Sequence, residues 1–241
     1  MDVAAYREAL RRDAPALLTA ASVADRGARI ESCPEWTPAD LVWHVANVHA
    51  FFASSIRDRW DDPAVYVRPE RPVHDEAVFD FGAAAAAELL AVLDTADPTM
   101  LIRTRTGERT VSWVSRRMVH ETAVHRFDAE RAAGHEHRVE AELASDGVDE
   151  YLEFVLPRTV AKGLRLDGSV HLHCTDVSGE WIIEPGDDGS HEVRREHTKG
   201  AAAIRGPAHE LLMVLWRRLP LEVVDVVGDQ AVAAQLVSQP V

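Results

Sequence analysis

The feature that most constrains this chain is a change of hydrophobic period near residue 140. Before it, apolar residues recur at helical spacing; after it, short segments alternate apolar and polar. One layer of one secondary structure cannot satisfy both patterns, so the chain divides into a helical part and a part that contains a sheet. Its 241 residues suffice for one large domain or two small ones. We place the boundary to give a helical domain over 1–138 and a smaller α+β domain over 139–241.

In the first half, Val3, Tyr6, Leu10, Leu17 and Leu18 mark an amphipathic helix over about 2–25. A second begins at "CPEWTPADLVWHVANVH": Thr37 can cap, Pro38 suits the first helical position, and Asp40 sits where a capping-box carboxylate belongs. It runs to about Trp60, and the Pro-rich "DDPAVYVRPERPVHDE" is too punctuated to continue it. "FDFGAAAAAELLAVLDTAD" is a third helix, ended before Pro98. The polar "LIRTRTGERTV", with its Gly turn, leads into a fourth over about 112–133, stopped by Gly134. Four long helices predict a four-helix bundle. In the second half a helix over about 142–160 precedes "SVHLHCTD", "EWIIEP", "HEVRRE" and "AAAIRG". The alternation, with turn pairs Asp167-Gly168, Ser178-Gly179 and Asp188-Gly189, predicts antiparallel strands. "PAHELLMVLWRRL" reads as a helix, "LEVVDVVGD" as a strand and "QAVAAQLVS" as a last short helix.

Composition narrows the partners. The formal net charge of −14, with no compensating basic stripe, repels phosphate backbones and argues against nucleic acid. Cys33 and Cys174 show no metal-pair spacing, so a disulfide framework is not expected. The N-terminal segment lacks a signal-peptide apolar run, and no stretch approaches the ~20 apolar residues of a membrane span. These features predict a cytoplasmic protein without a membrane partner, as monomer or homodimer.

One helix breaks its own pattern. In "RRMVHETAVHRFDAE", Glu121, His125 and Asp128 fall on the face of Val114, Met118 and Ala132. At ~100° per residue, His125 lies about 40° from Glu121 and Asp128 about 20° to the other side. Glu121 and His125, one turn apart, can address one atom, as ligands on bundle helices do. A third ligand is needed, and the second helix offers His44 on one shoulder of its apolar stripe and His49 on the other, roughly 140° apart. Geometry alone leaves that choice open. Imidazoles with a carboxylate suit a borderline divalent ion such as Zn²⁺, Ni²⁺ or Fe²⁺, and three protein ligands leave a position open for chemistry. Asp128 could then fix a ligand ring N–H or a bound water. The bland alternative is that Glu121 pairs with Arg117, four residues earlier, and His125 is an ordinary core histidine.

"CPEWTPADLVWHVANVH", followed after about seventy residues by "RRMVHETAVHRFDAE", resembles the mycothiol-dependent maleylpyruvate isomerase family, part of the DinB-like group of metal-binding helical bundles. "AAAIRGPAHELLMVLWRRLPLEVVDVVGD" is similar to that family's C-terminal domain, so the resemblance covers nearly the whole chain. It implies His44, Glu121 and His125 as ligands, zinc as the metal, and mycothiol, a low-molecular-weight thiol of actinobacteria, as cosubstrate. In such an isomerase a thiolate adds to an activated cis double bond, the adduct rotates and the thiolate leaves; in an S-transferase the adduct is the product. The family's isomerases carry an arginine near the end of the "LL…R" helix. Here Arg218 matches, with Arg217 as its neighbour where the family often has Gly. The substrate implied is a small electrophile of the maleylpyruvate type.

The remaining candidates read as structural. Cys33 precedes a helix cap, Cys174 lies in a strand with His171 and His173 on the other side of the alternation, and Trp36, Trp43 and Trp60 suit the core; His135 and His137 suit a solvated linker. Besides the thiol-dependent enzyme, two readings stay open: a hydrolase whose metal activates water with Asp128 as base, and a non-catalytic metal- or small-molecule-binding module.

Overall fold

Thr37, Pro38 and Asp40 build the helix start that their order predicts. In the computed structural model, which describes residues 1–186 and 188–239, the Thr37 hydroxyl accepts from the Asp40 N–H (3.2 Å), and the Asp40 carboxylate accepts from the Thr37 N–H (3.0 Å). This cap launches α2 (Pro38–Asp58), which ends where Arg59 turns left-handed. The other long helices of the first half are α1 (Val3–Val23), α3 (Asp75–Thr95) and α4 (Val111–Ala132). α3 starts earlier than its apolar pattern suggests, because Asp75 and Glu76 favour the first turn of a helix dipole. α1 packs on α4 and α2 on α3, and further α1–α3, α2–α4 and α1–α2 contacts close the set. Gly82 permits the close approach of α3: a Cβ there would lie 2.8 Å from Val42 Cγ1 and 2.9 Å from Leu18 Cδ2.

The segment read only as a polar stretch with a turn is a β-hairpin, β1 (Leu101–Thr104) with β2 (Gly107–Thr110). Its strands are too short and polar for alternation to announce them; Arg105 and Thr106 make the turn, and Gly107, at φ 99°, takes the left-handed position that follows it. Thr110 then caps α4 by accepting from the Trp113 N–H (3.1 Å). Contacts divide the chain into two compact units, Met1–His137 and Arg138–Val241.

The second unit is α+β. Its first helical stretch is α5 (Ala141–Glu150), a π-helical turn over Tyr151–Val155, and α6 (Leu156–Ala161). Pro157 explains the interruption, since it has no N–H to give to a carbonyl one turn back and its ring crowds that carbonyl. The strands are β3 (Val170–Cys174), β4 (Glu180–Pro185), β5 (His191–Arg194), β6 (Ala202–Gly206) and, after α7 (Ala208–Leu215), β7 (Asp225–Gly228); α8 (Gln230–Leu236) follows. The sheet order is β5-β4-β3-β6-β7. The β3–β4 and β4–β5 pairs are antiparallel, as the turn pairs at 178–179 and 188–189 predict; β6–β7 is also antiparallel, but β6 runs parallel to β3. After the β3–β4–β5 meander the chain crosses back to the free edge of β3, where β6 adds; side-chain alternation carries no information about that direction. Val170, Leu172, Trp181, Ile183, Ala202 and Ile204 bury one face, which packs on α7 and α8, while His171, His173 and Glu180 share the other.

Candidate metal centre

Helix periodicity delivers Glu121 and His125 to one point on α4, and α2 brings His44 to them. His44 Nε2 lies 3.1 Å from Glu121 Oε1, and His125 Nε2 lies 3.6 Å from the same oxygen. The potential ligand atoms of the three all fall within 4.8 Å of one another. The two imidazoles meet edge to face at 5.0 Å between ring centroids. Glu121 and His125 are buried; His44 keeps about a third of its side chain exposed, so the cluster opens to solvent on its side.

His49, the rival third ligand, takes no place in the cluster. It is buried, with its Nε2 2.9 Å from the Thr122 hydroxyl, and burial lowers its pKa from 6.5 to about 4. Of the two shoulders of α2, the one that carries His44 faces Glu121.

The groups behind the cluster fix its donors. His125 Nδ1 lies 3.0 Å from Asp128 Oδ2, and the other Asp128 oxygen accepts from the Ser32 hydroxyl at 2.8 Å. With Asp128 ionised, that contact places the ring proton on Nδ1 and leaves the Nε2 lone pair toward Glu121 and His44. Arg117 pairs with the second Glu121 oxygen, so the ion pair weighed as an alternative coexists with the cluster. Burial pushes the Glu121 carboxyl up, but the Arg117 charge and hydrogen bonds with His125 and His44 outweigh it and hold the group well below the usual range. Burial lowers His125, yet the Asp128 and Glu121 contacts prevail and leave it raised. Trp36 lies beside the cluster, its ring 4.9 Å from that of His44 and 6.4 Å from that of His125. Ser32 and the placement of Trp36 were not legible: both sit in an irregular segment that no periodicity locates.

Two family descriptions match the chain in tandem: mycothiol maleylpyruvate isomerase N-terminal domain over residues 6–130, and the C-terminal domain of the same enzyme family over residues 142–235. The chain belongs to the mycothiol-dependent maleylpyruvate isomerase family. Among solved structures, a mutant of the mycothiol-dependent maleylpyruvate isomerase superposes with a TM-score of 0.66 at 12% identity, over 94% of this chain and 93% of that one. A second structure of that isomerase gives 0.63 at 12% identity, with the same coverage. At this identity the likeness speaks for the fold. No curated protein sequence matches significantly.

The remaining predicted residues are placed as follows. Arg217 and Arg218 lie just past the end of α7, in the turn that follows it. Arg217 has a left-handed backbone (φ 62°), the conformation glycine adopts without cost. Its side chain reaches the Leu236 and Gln239 carbonyls (3.1 Å each) and the Tyr151 hydroxyl (3.4 Å), tying α7 to α8. Arg218 donates to the Trp216 carbonyl (2.8 Å) and lies 5.8 Å from the centre of its ring. Cys174 is buried, which pushes its thiol up to about 11, and Cys33 is half-buried against the core of the helical unit. His135 is exposed and contacts Glu130 at 3.1 Å. No helix among the described residues is long and apolar enough to cross a membrane.

Proposed function

We propose that this chain is a divalent-metal-dependent, mycothiol-dependent enzyme, an isomerase or S-transferase acting on a small electrophile of the maleylpyruvate type, with zinc held by His44, Glu121 and His125. The observation that carries this reading is the convergence of two imidazoles and a carboxylate on one point, with the far nitrogen of His125 held by Asp128. That donor set fits a borderline divalent ion, because Asp128 orients His125, Arg117 orients Glu121, and the exposed side of His44 leaves a face for a fourth partner. When bound, the ion supplies a Lewis acid that lowers the pKa of a thiol from its free value near ~8.5.

The chain's own residues supply orientation and charge. Asp128 fixes the His125 ring, Arg117 locks the Glu121 carboxylate, and Trp36 walls one side of the cluster. Both oxygens of Asp128 are engaged, by His125 and Ser32, so it serves as a positioning group; this weakens the hydrolase reading, which needs it as a base. Neither cysteine sits at the cluster, so the nucleophilic sulfur is exogenous. It adds to the activated double bond and leaves again in an isomerase, or stays in the product of a transferase. For a substrate carboxylate we assign Arg218, because the left-handed backbone at 217 matches the Gly of the family's Gly-Arg.

The test is the zinc-loaded full chain with mycothiol, glutathione and bacillithiol in turn, read by thermal shift, followed by turnover of maleylpyruvate and of a generic thiol-reactive electrophile. Stabilisation and turnover with mycothiol alone are expected. Metal binding without any thiol response would overturn the assignment.

A further inference from the structure

The second unit holds a cluster that the proposed activity does not use. His171 and His173 project from the same face of β3, Glu180 stands directly across from His173 on β4, and His197 comes from the irregular segment between β5 and β6. His173 Nδ1 lies 2.9 Å from Glu180 Oε1, His197 Nδ1 lies 2.7 Å from Glu180 Oε2, and His171 Nε2 lies 3.8 Å from that same oxygen. The three rings face one another edge-on, with centroids 5.4 to 6.3 Å apart. One potential ligand atom from each of the four residues falls within 4.8 Å of all the others. Arg205, in register with His173 on β6, has Asp225 as its ion-pair partner (3.9 Å).

A set of surface His–Glu ion pairs would explain His173 and His197, which are partly or largely exposed. It does not explain His171. That residue is only 6% exposed, and its buried Nε2, aimed at the cluster, has no hydrogen-bond partner among the described residues. As a bare nitrogen it would set a lone pair against a carboxylate oxygen; as an N–H it stands too far away to donate. A cation between them resolves both difficulties. Three imidazoles and one carboxylate are the donors of a borderline transition ion and not of Ca²⁺ or Mg²⁺. Tetrahedral bonds of about 2.0–2.1 Å place neighbouring ligand atoms about 3.4 Å apart, a spacing these side chains reach by small rotations.

We propose that His171, His173, Glu180 and His197 form a second, coordinatively closed site for a zinc-class divalent ion. The ion pins the β5–β6 segment to the face of the sheet opposite Val170 and Leu172. Four protein ligands leave no position for substrate, so its role is structural, in contrast to the three-ligand cluster of the helical unit.

The experiment uses the full chain carrying His44→Ala and His125→Ala, stripped with a chelator and titrated with Zn²⁺ against a chromophoric competitor, then with Co²⁺ to read tetrahedral coordination from its visible absorption. One equivalent should bind and raise the melting temperature. His197→Ala, which removes an exposed loop ligand and leaves the core intact, should weaken that binding by more than the ~10–100-fold that changes behind a ligand cost. Glu180→Gln should act in the same direction. A folded His44→Ala/His125→Ala chain that binds no zinc, or one whose affinity is unchanged by His197→Ala, overturns the proposal. If the helical cluster fails to bind metal but this one does, the parent chain takes one equivalent that His197→Ala weakens and His44→Ala/His125→Ala leaves unchanged.

Discussion

Replacing Asp128 with asparagine should weaken zinc binding about tenfold while leaving the helices folded. Asp128 makes a charge-assisted contact with His125 Nδ1 at 3.0 Å and accepts from Ser32 at 2.8 Å, both within a buried site. Asparagine can keep both contacts, with its oxygen toward His125 and its NH₂ toward a rotated Ser32 hydroxyl, so what is lost is the charge. Charged hydrogen bonds contribute about 1.5–3 kcal/mol and neutral ones about 0.5–1.5, a difference of about 1–1.5 kcal/mol. That corresponds to about tenfold in affinity. Asp128→Ala, which removes the contact, should move toward the ~100-fold end of such effects. The asparagine change has a second signature. Among the influences that raise His125, the Asp128 contact comes first, so Asp128→Asn should lower its pKa in the metal-free protein. Protons compete with metal for this ring, so the acid-side loss of zinc affinity should begin at a lower pH in the variant even though its affinity at neutral pH is weaker. Competition titrations across the acid range, with histidine NMR of the metal-free protein, measure both. Unchanged zinc affinity, or an unchanged His125 titration, would refute the assignment of Asp128 as the group that orients this ligand.

Three further outcomes follow from the same geometry. His49 stays neutral in its burial site, with a pKa lowered from 6.5 to about 4, so its contribution is full above 6.5 and declines by about 3 kcal/mol as pH falls toward 4. His125, raised in the metal-free protein, works in the opposite sense, present below 6.5 and lost as pH rises through its raised value. Denaturant titrations of metal-free His49→Gln minus parent isolate the first effect, and an equal acid slope in both proteins would count against it. Replacing Cys33 and Cys174 together with alanine should keep thiol-dependent turnover at a stability cost of about 1 kcal/mol per buried site, since Cys174 with its thiol pushed up to about 11 is protonated at neutral pH. Loss of turnover in the folded, metal-loaded double variant would place the sulfur chemistry in the chain itself. Gly82→Ala should destabilise the helical unit by about 1–3 kcal/mol through overpacking against Val42 and Leu18, read as a lowered melting temperature.

How much of this was legible in the sequence depended on whether a signal was periodic. The capping box at Thr37, the stop at Gly134 and the polar cluster on the apolar face of α4 follow from local chemistry and a 100° repeat, and all appear where that chemistry puts them. Period could not choose between His44 and His49 as the third candidate ligand, because they flank one stripe; the family resemblance implies His44, and His44 is the one that contacts Glu121. The parallel β3–β6 pairing, the β1–β2 hairpin and the π-turn ahead of Pro157 were not read from alternation, which reports faces and not partners. Glu180 and His197 were missed for the same reason: they join His171 and His173 only through pairing and a loop path. Arg217 and Arg218 were placed at a helix end, and the left-handed backbone at 217 gives the physical reason a glycine suits that point.

On the proposed function, His44, Glu121 and His125 hold one divalent ion. Anomalous diffraction at the zinc edge from zinc-loaded crystals grown at neutral pH tests it most directly. A peak is expected in the helical unit within about 2.0–2.2 Å of one nitrogen each of His44 and His125 and of a Glu121 oxygen. Zinc-loaded crystals with no anomalous peak there, and the Glu121 carboxylate still paired directly with both imidazoles, would contradict it.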